Sequence, residues 1–137
     1  MLFRSNAAAT EAGARRALTL PVSGAFHSPL TAAAADDLRP ALEAAEFHAP
    51  TSAFFSTVTC RLEDGTGLAA ILEQQLGAPV RFTQAIRALA AEGVTTCIEV
   101  GPGNVLAGLI RRIDRQLTTL SIGDPESLAK AQEVLNG

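Results

Sequence analysis

Two histidines are the side chains of this sequence best suited to moving protons near neutral pH. His27 follows a strand-like run at 17–23 and the turn residue Gly24, and it precedes Pro29, which suits a first helical turn. Reactive groups in α/β proteins often lie where a strand ends and a helix begins, so His27 is a candidate general acid-base. His48 lies between a helix and a strand with no acid-base partner nearby, and we interpret it as a solvated connector residue.

A nucleophile that could work with His27 is not evident. The chain contains no G-x-S-x-G elbow, and its serines fall in loops or at strand ends. A lone histidine beside an aromatic residue such as Phe26 is more often structural than catalytic. Cys60 and Cys97 lack the close Cys or His spacing of a metal site, so we expect free thiols and no metal. The amides of the turn at 101–104 could hold an anion, although its spacing favours a structural turn.

The length and composition limit the classes of protein to which this chain can belong. The chain has 137 residues, of which 47% are hydrophobic, and its net charge is −3. This is enough apolar material for one core, and the 11 scattered basic residues give no electrostatic support for nucleic-acid binding. The longest apolar runs are far shorter than the roughly 20 residues that span a bilayer. We therefore expect one cytoplasmic domain with neither a nucleic-acid nor a membrane partner.

Hydrophobic periodicity and turn residues divide the chain into alternating helices and strands. The pattern predicts helices at 7–16, 29–45, 68–77, 79–93, 105–113 and 125–135, and strands at 17–23, 52–58, 94–100 and 117–122. Pro40 should kink or interrupt the second helix. A turn at 63–65 should follow the strand at 52–58, and Asn104 should cap the helix that begins at 105. Such alternation predicts an α/β fold with a mainly parallel sheet and helices on its faces.

Three segments, in this order, resemble one family. They are LPVSGAFHSPL at 20–30, QLGAPVRF at 75–82 and EVGPGNVL at 99–106. They are similar to the histidine, glutamine and Gly-Pro-Gly segments of the bacterial malonyl-CoA:acyl carrier protein transacylases, which are related to polyketide-synthase acyltransferase domains. The resemblance runs from about Glu11 to the C-terminus, and the combination is far more specific than any one segment.

The resemblance implies an α/β-hydrolase-like large subdomain with a small ferredoxin-like subdomain inserted in it. Residues 7–23 would then be the last helix and strand of the small subdomain, and 24–137 the C-terminal part of an incomplete large subdomain. Residues 2–5, Leu-Phe-Arg-Ser, match what one reading frame of a common sequencing adapter encodes, and we expect residues 1–6 to be a non-native start.

The resemblance also implies a reaction. In this family a serine takes the malonyl group from coenzyme A and passes it to the phosphopantetheine thiol of acyl carrier protein, without a cofactor. His27 corresponds to the general acid-base, and Gln75 to the residue that hydrogen-bonds the other ring nitrogen of the histidine and fixes its tautomer. Phe26 corresponds to an aromatic residue whose bulk disfavours branched acyl groups. The partners would be malonyl-CoA and acyl carrier protein, and the parent enzyme a monomer.

The sequence also departs from the family. Ser56 and Thr57 stand where an asparagine is common, and Thr31 stands where methionine is common near the acyl pocket. The serine elbow, the oxyanion-hole glutamine and the arginine for the malonyl carboxylate belong to the family's N-terminal half, so we expect this chain to be inactive alone. Two alternatives stay open: a fragment of a polyketide-synthase or fatty-acid-synthase acyltransferase domain, and a non-catalytic module that binds acyl carrier protein.

Overall fold

The structure is a computed structural model that describes residues 2–19 and 22–136. Its helices are α1 (Leu2–Glu11), α2 (Ala32–Ala44), α3 (Leu68–Gly77), α4 (Phe82–Ala91), α5 (Val105–Ile113) and α6 (Pro125–Asn136), with one 3₁₀ turn at Pro29–Thr31. Its strands are β1 (Phe54–Ser56), β2 (Arg61–Glu63), β3 (Thr96–Val100) and β4 (Thr118–Ile122). The fold is mixed α/β, as the sequence predicts.

The strands form two separate pairs. β3 and β4 are parallel and in register from Thr96 opposite Thr118 to Val100 opposite Ile122, with α5 as their crossover. β1 and β2 are antiparallel, with Phe54 opposite Glu63. The expectation of a mainly parallel sheet is therefore right for β3 and β4 and wrong for the segment at 54–63.

The hairpin of β1 and β2 has a turn at 57–60 that the sequence does not predict, whereas the turn predicted at 63–65 follows β2, where Gly65 is left-handed with φ of 96°. Cys60 takes the left-handed conformation, with φ of 56°, that closes this turn. Glycine is the residue that usually marks such a position, so the sequence carries no turn signal there.

The core lies between the β3–β4 pair and the helices α4 and α5. Ile86, Ile110 and Leu117 are its buried residues, and Phe82, Ala90, Cys97 and Ile113 pack against them. Burial raises the pKa of the Cys97 thiol because the thiolate would lose its solvation. Both cysteines are free thiols, as expected.

The opposite face of the β3–β4 pair is open at β3, whereas Leu120 and Ile122 on the same face of β4 are half-buried. Ile98 is 42% exposed and Val100 is 81% exposed, whereas Cys97 and Glu99 point toward the covered side. The accessible surface of the chain is 10378 Å². A compact protein of 14.2 kDa exposes roughly 6,800 Å², so this chain exposes about half as much again. Parallel strands are normally covered on both faces, and here one face lacks its cover at β3.

The first segment differs from its prediction. α1 covers Leu2–Glu11 rather than 7–16, because Gly13 takes the left-handed conformation, φ 89°, that ends helices. The predicted strand at 17–23 is wrong for the residues that are described, which form no ladder with a neighbouring strand, and residues 20 and 21 lie outside the described ranges. A strand needs a partner backbone, and none of the described strands lies beside this segment.

α2 packs on α3 and continues through Pro40 to Ala44, so the predicted interruption does not occur. Arg39 donates from Nε and Nη2 to Oε1 of Glu73, at 3.0 and 2.6 Å, and from Nη2 to Oδ1 of Asp36 at 2.8 Å. These carboxylates raise the pKa of the Arg39 guanidinium. The pair is solvent-exposed, so it orients the two helices more than it stabilises them.

The N-terminus of α5 is capped from the sheet. Both carboxylate oxygens of Glu99 accept backbone N–H groups, from Leu106 at 3.1 Å and from Ala107 at 2.8 Å. Asn104 makes no side-chain cap, so that prediction is wrong. A charged carboxylate complements the helix dipole better than an amide does, and it fills the place where the turn at 101–104 could have held an anion.

We predict that Ile110→Val lowers the free energy of unfolding by about 0.5–1.5 kcal/mol, because it removes one methyl group from a core residue that is 6% exposed. Ile98→Val is the matched control, since the same methyl group lies there on the open face, and its effect should stay within about 0.5 kcal/mol. Urea denaturation of the chain measures both. Equal losses in the two variants would contradict this location of the core.

Candidate active site

His27 lies in a tight turn, residues 24–28, that we call the His27 turn. Its backbone is left-handed, with φ of 56°, which is uncommon for a residue other than glycine and often marks functional positions. Ser28 closes the turn by donating from Oγ to the carbonyl oxygen of Ala25 at 2.6 Å. The side chain of His27 is exposed rather than enclosed by apolar residues.

The imidazole of His27 is held by α3. Its Nδ1 lies 2.9 Å from the backbone carbonyl oxygen of Gln75. A carbonyl oxygen can only accept a hydrogen bond, so Nδ1 of the neutral ring carries the proton. Nε2 is then left with its lone pair, which is the form that a general base requires.

Local sequence explains why this carbonyl is available. The last carbonyls of a helix have no partner within it, and α3 ends at Gly77. The backbone N–H of Ala78 bonds to the oxygen of Gln74 at 3.0 Å, and the next donor that Gln75 would need is Pro79, which has no N–H. The Gln75 carbonyl is therefore free to accept the proton on Nδ1 of His27.

The structure brings His27 and Gln75 together, as the family resemblance implies. In a hydrolase triad the third residue contacts the histidine through a side-chain carboxylate, whereas Gln75 uses its backbone carbonyl. The main chain of Gln75 makes the contact, not its amide. Pro79, four residues after Gln75, is the sequence signal that could have identified the backbone carbonyl as the acceptor. The catalytic roles of both residues stay predictions.

A cavity of about 230 Å³ adjoins this contact and is lined by Gln75 and residues 54–57. Ser56 is buried, and its Oγ accepts the backbone N–H of Val58 at 3.2 Å, so its hydroxyl serves the β1–β2 turn. The family departure at Ser56 and Thr57 therefore lies beside Gln75, where it alters the wall of the site.

Phe26 lies on the surface and is 63% exposed. Its ring folds back over Gly24, where an added Cβ would lie 3.5 Å from ring atom Cζ. None of the described cavities is lined by Phe26, so its role in acyl selectivity stays a prediction.

The second histidine lies apart from this site. His48 is exposed in the 46–50 connector, as predicted, but it does have an acidic neighbour, since its Nε2 lies 3.7 Å from Oε1 of Glu46. Residues 2–19 and 22–136 contain no group of three side chains that could hold a metal ion. No helix within those ranges is long and apolar enough to cross a membrane.

The arrangement can therefore position one proton acceptor. Nδ1 of His27 is fixed by Gln75, and among the described residues no hydroxyl bonds to Nε2. Such a site can take a proton from a nucleophile that approaches Nε2 and return it.

The sequence matches known proteins over almost its full length. The acyl transferase domain family matches residues 4–130. The malonyl CoA-acyl carrier protein transacylase of Bacillus subtilis (strain 168) is 41% identical over 128 residues, which cover 93% of this chain and 40% of that protein. The protein of the same name from Escherichia coli (strain K12) is 41% identical over 132 residues, covering 96% of this chain and 43% of its own length.

Solved structures match equally well. The crystal structure of malonyl-CoA:acyl carrier protein transacylase from Xanthomonas oryzae pv. oryzae superposes with a TM-score of 0.91 at 37% identity, covering 97% of this chain and 43% of that one. A malonyl-transacylase in complex with a type II PKS acyl-carrier protein gives a TM-score of 0.90 at 36% identity, over 97% and 43% of the two chains. The chain spans about two-fifths of the length of these relatives. Since the family match extends over nearly the whole sequence, the chain belongs to the family of acyl transferase domains.

Proposed function

We propose that this chain is the histidine-bearing part of an enzyme that transfers a malonyl group from coenzyme A to the phosphopantetheine thiol of acyl carrier protein. The observation that carries the proposal is the 2.9 Å contact between Nδ1 of His27 and the carbonyl oxygen of Gln75, which leaves Nε2 free as a base. The similarity to malonyl CoA-acyl carrier protein transacylases supplies the substrates. The enzyme would serve fatty acid biosynthesis in the cytoplasm.

The proposed reaction has two steps, and His27 moves the proton in both. In the first, Nε2 takes the proton of a serine, the serine oxygen attacks the malonyl thioester, and the proton passes to the departing thiolate of coenzyme A. In the second, Nε2 takes the proton of the phosphopantetheine thiol. That sulfur attacks the malonyl ester, and the serine oxygen regains the proton as it leaves.

The carbonyl of Gln75 suits this cycle without being a charged group. It bonds to Nδ1–H in both the neutral and the protonated ring, so it keeps the ring oriented while Nε2 gains and loses a proton. A thiolate is a better leaving group than an amine, so the base needs no carboxylate partner to raise its strength. The neutral partner therefore fits thioester chemistry.

We further propose that the chain alone does not catalyse transfer, because the family's serine, oxyanion-hole glutamine and malonyl-binding arginine belong to the part of the relatives that it does not span. The open face of Ile98 and Val100, together with the large accessible surface, supports a location against such a part. In this proposal the chain, which spans about two-fifths of the length of its relatives, supplies the base but not the nucleophile.

A non-catalytic module that binds acyl carrier protein is the competing function of a different class. One relative of known structure, a malonyl-transacylase, is in complex with an acyl-carrier protein, so a protein of related shape does bind a carrier. The His27–Gln75 contact favours the enzyme, because a surface that only binds has no need of an imidazole whose tautomer is fixed. A synthase acyltransferase domain would use the same chemistry on a tethered carrier.

A chimera tests the proposal. The region of the Escherichia coli (strain K12) relative that matches this chain over 132 residues is replaced by this chain, and transfer of radiolabelled malonyl from malonyl-CoA to phosphopantetheinylated acyl carrier protein is measured. Transfer by the folded chimera, with none by the chain alone, is expected. A folded chimera without transfer, beside a chain that alone binds the carrier protein, would favour the binding module.

Within the active chimera, we predict that His27→Ala lowers the rate of malonyl-serine formation by about 10² to 10⁴, because the attacking serine loses its base. Single-turnover acylation monitored by mass spectrometry measures the rate. His48→Ala is the matched control and should leave it unchanged, since His48 lies in an exposed connector. Near-normal acylation by the His27 variant would remove this residue from the mechanism.

In the same chimera, we predict that Gln75→Ala changes kcat/KM less than about threefold, because the contact with His27 uses the main chain, which alanine retains. The measurement is steady-state malonyl transfer at several carrier concentrations. A loss as large as that of His27→Ala would show that the amide side chain of Gln75 has the role that we assign to its carbonyl.

A further inference from the structure

The end of α3 offers two free carbonyl groups to the segment that carries His27. One is that of Gln75, which accepts from Nδ1 of His27. The other is that of Leu76, which accepts from the hydroxyl of Thr31 at 2.6 Å. In the helix ladder its donor would be the N–H of Val80, which makes no hydrogen bond to it in the described part of the chain. Two adjacent carbonyls of one helix end are thus satisfied by two side chains from residues 27–31.

The hydroxyl of Thr31 also lies 2.8 Å from the carbonyl oxygen of Ser28. That oxygen already accepts the backbone N–H of Thr31 at 3.0 Å, whereas a hydroxyl has a single proton to donate. The shorter contact and the lack of another donor both assign that proton to Leu76. The hydroxyl therefore ties the segment to α3 rather than only closing its own turn.

The bond between the Thr31 hydroxyl and the Leu76 carbonyl lies where the end of α3 is in direct contact with residues 28–31. A Cβ added at Gly77 would lie 3.8 Å from the carbonyl oxygen of Ser28, so the end of α3 lies directly against the residue that follows His27. His27 itself is held at a φ of 56°, a conformation that costs free energy outside glycine and needs neighbouring contacts to persist.

We propose that Thr31 is a positioning residue for His27: its hydroxyl bond to the Leu76 carbonyl holds the His27 turn against the end of α3, so that Nδ1–H reaches the carbonyl of Gln75. The inference is particular to this chain, which has threonine where the family that it resembles commonly has methionine. It rests on the proposed function for its catalytic meaning, but its geometry concerns only residues 27–31 and 75–76.

The tautomer of His27 is the readout that tests this proposal. The 137-residue chain has two histidines, so long-range ¹H–¹⁵N spectra of the labelled protein resolve both rings, and exposed His48 is an internal reference. For a neutral ring the spectra report which nitrogen carries the proton. We expect mainly the Nδ1–H form for His27 in the wild-type chain.

Removing the hydroxyl should shift that tautomer. Thr31→Val keeps the shape of the side chain but not its hydroxyl, and we expect the ratio of Nδ1–H to Nε2–H at His27 to fall by about 2- to 10-fold, the value of one hydrogen bond. Thr31→Ser should retain the wild-type ratio. Thr83→Val is the matched control, since Thr83 is exposed on α4 and its hydroxyl takes no part in the bonds to the Gln75 and Leu76 carbonyls.

A second pair of variants covers the case in which Thr31→Val does not fold. Thr31→Ser and Thr31→Ala differ by the hydroxyl alone, so a lower ratio in the alanine variant supports the same conclusion. An unchanged ratio in a folded valine or alanine variant would overturn the proposal, as would a wild-type ring that is mainly Nε2–H. The spectra involve no serine, substrate or carrier protein, so a failed transfer assay and a failed tautomer test are separate results.

Discussion

The candidate site depends on one constraint: the last carbonyl groups of a helix must find donors outside the helix. At the end of α3 this constraint is sharpened by Pro79, which removes the donor that would otherwise continue the ladder to Gln75. His27 and Thr31 supply donors to the carbonyls of Gln75 and Leu76 instead. The unpaired carbonyl at the end of α3 therefore also orients the imidazole of His27, and no charged partner is required.

Polar contacts also orient the helices of the chain. Helix α2, which follows His27, packs on α3, and the ion pair between Arg39 and Glu73 orients the two helices. On the other side of the chain, Glu99 caps α5 from β3 and links the crossover helix to its own strand. Both devices are polar, in keeping with a chain that has few fully buried side chains to hold it together.

Much of this could be predicted from the sequence because the signals are local. The helices α3 to α6 and the strands β3 and β4 follow apolar periodicity and glycine or proline punctuation, and the pairing of His27 with Gln75 came from the family resemblance. The failures have physical causes. The hairpin turn uses Cys60 in a conformation typical of glycine, the strand at 17–23 lacks a partner in the described residues, and the cap of α5 comes from Glu99 through tertiary contact rather than from adjacent Asn104.

The two sides of the β3–β4 pair differ, and neither is needed for the bonds that orient His27. One side is closed by α4 and α5 around Ile86 and Ile110, while on the other Ile98 and Val100 face solvent. The bonds that orient His27 join residues 27–31 to residues 75–76, all within this chain. In the proposed reaction, by contrast, the serine that faces Nε2 comes from outside this chain. The orientation of His27 is therefore internal to this chain, whereas the catalysis that we propose depends on a serine from a part that the chain does not span.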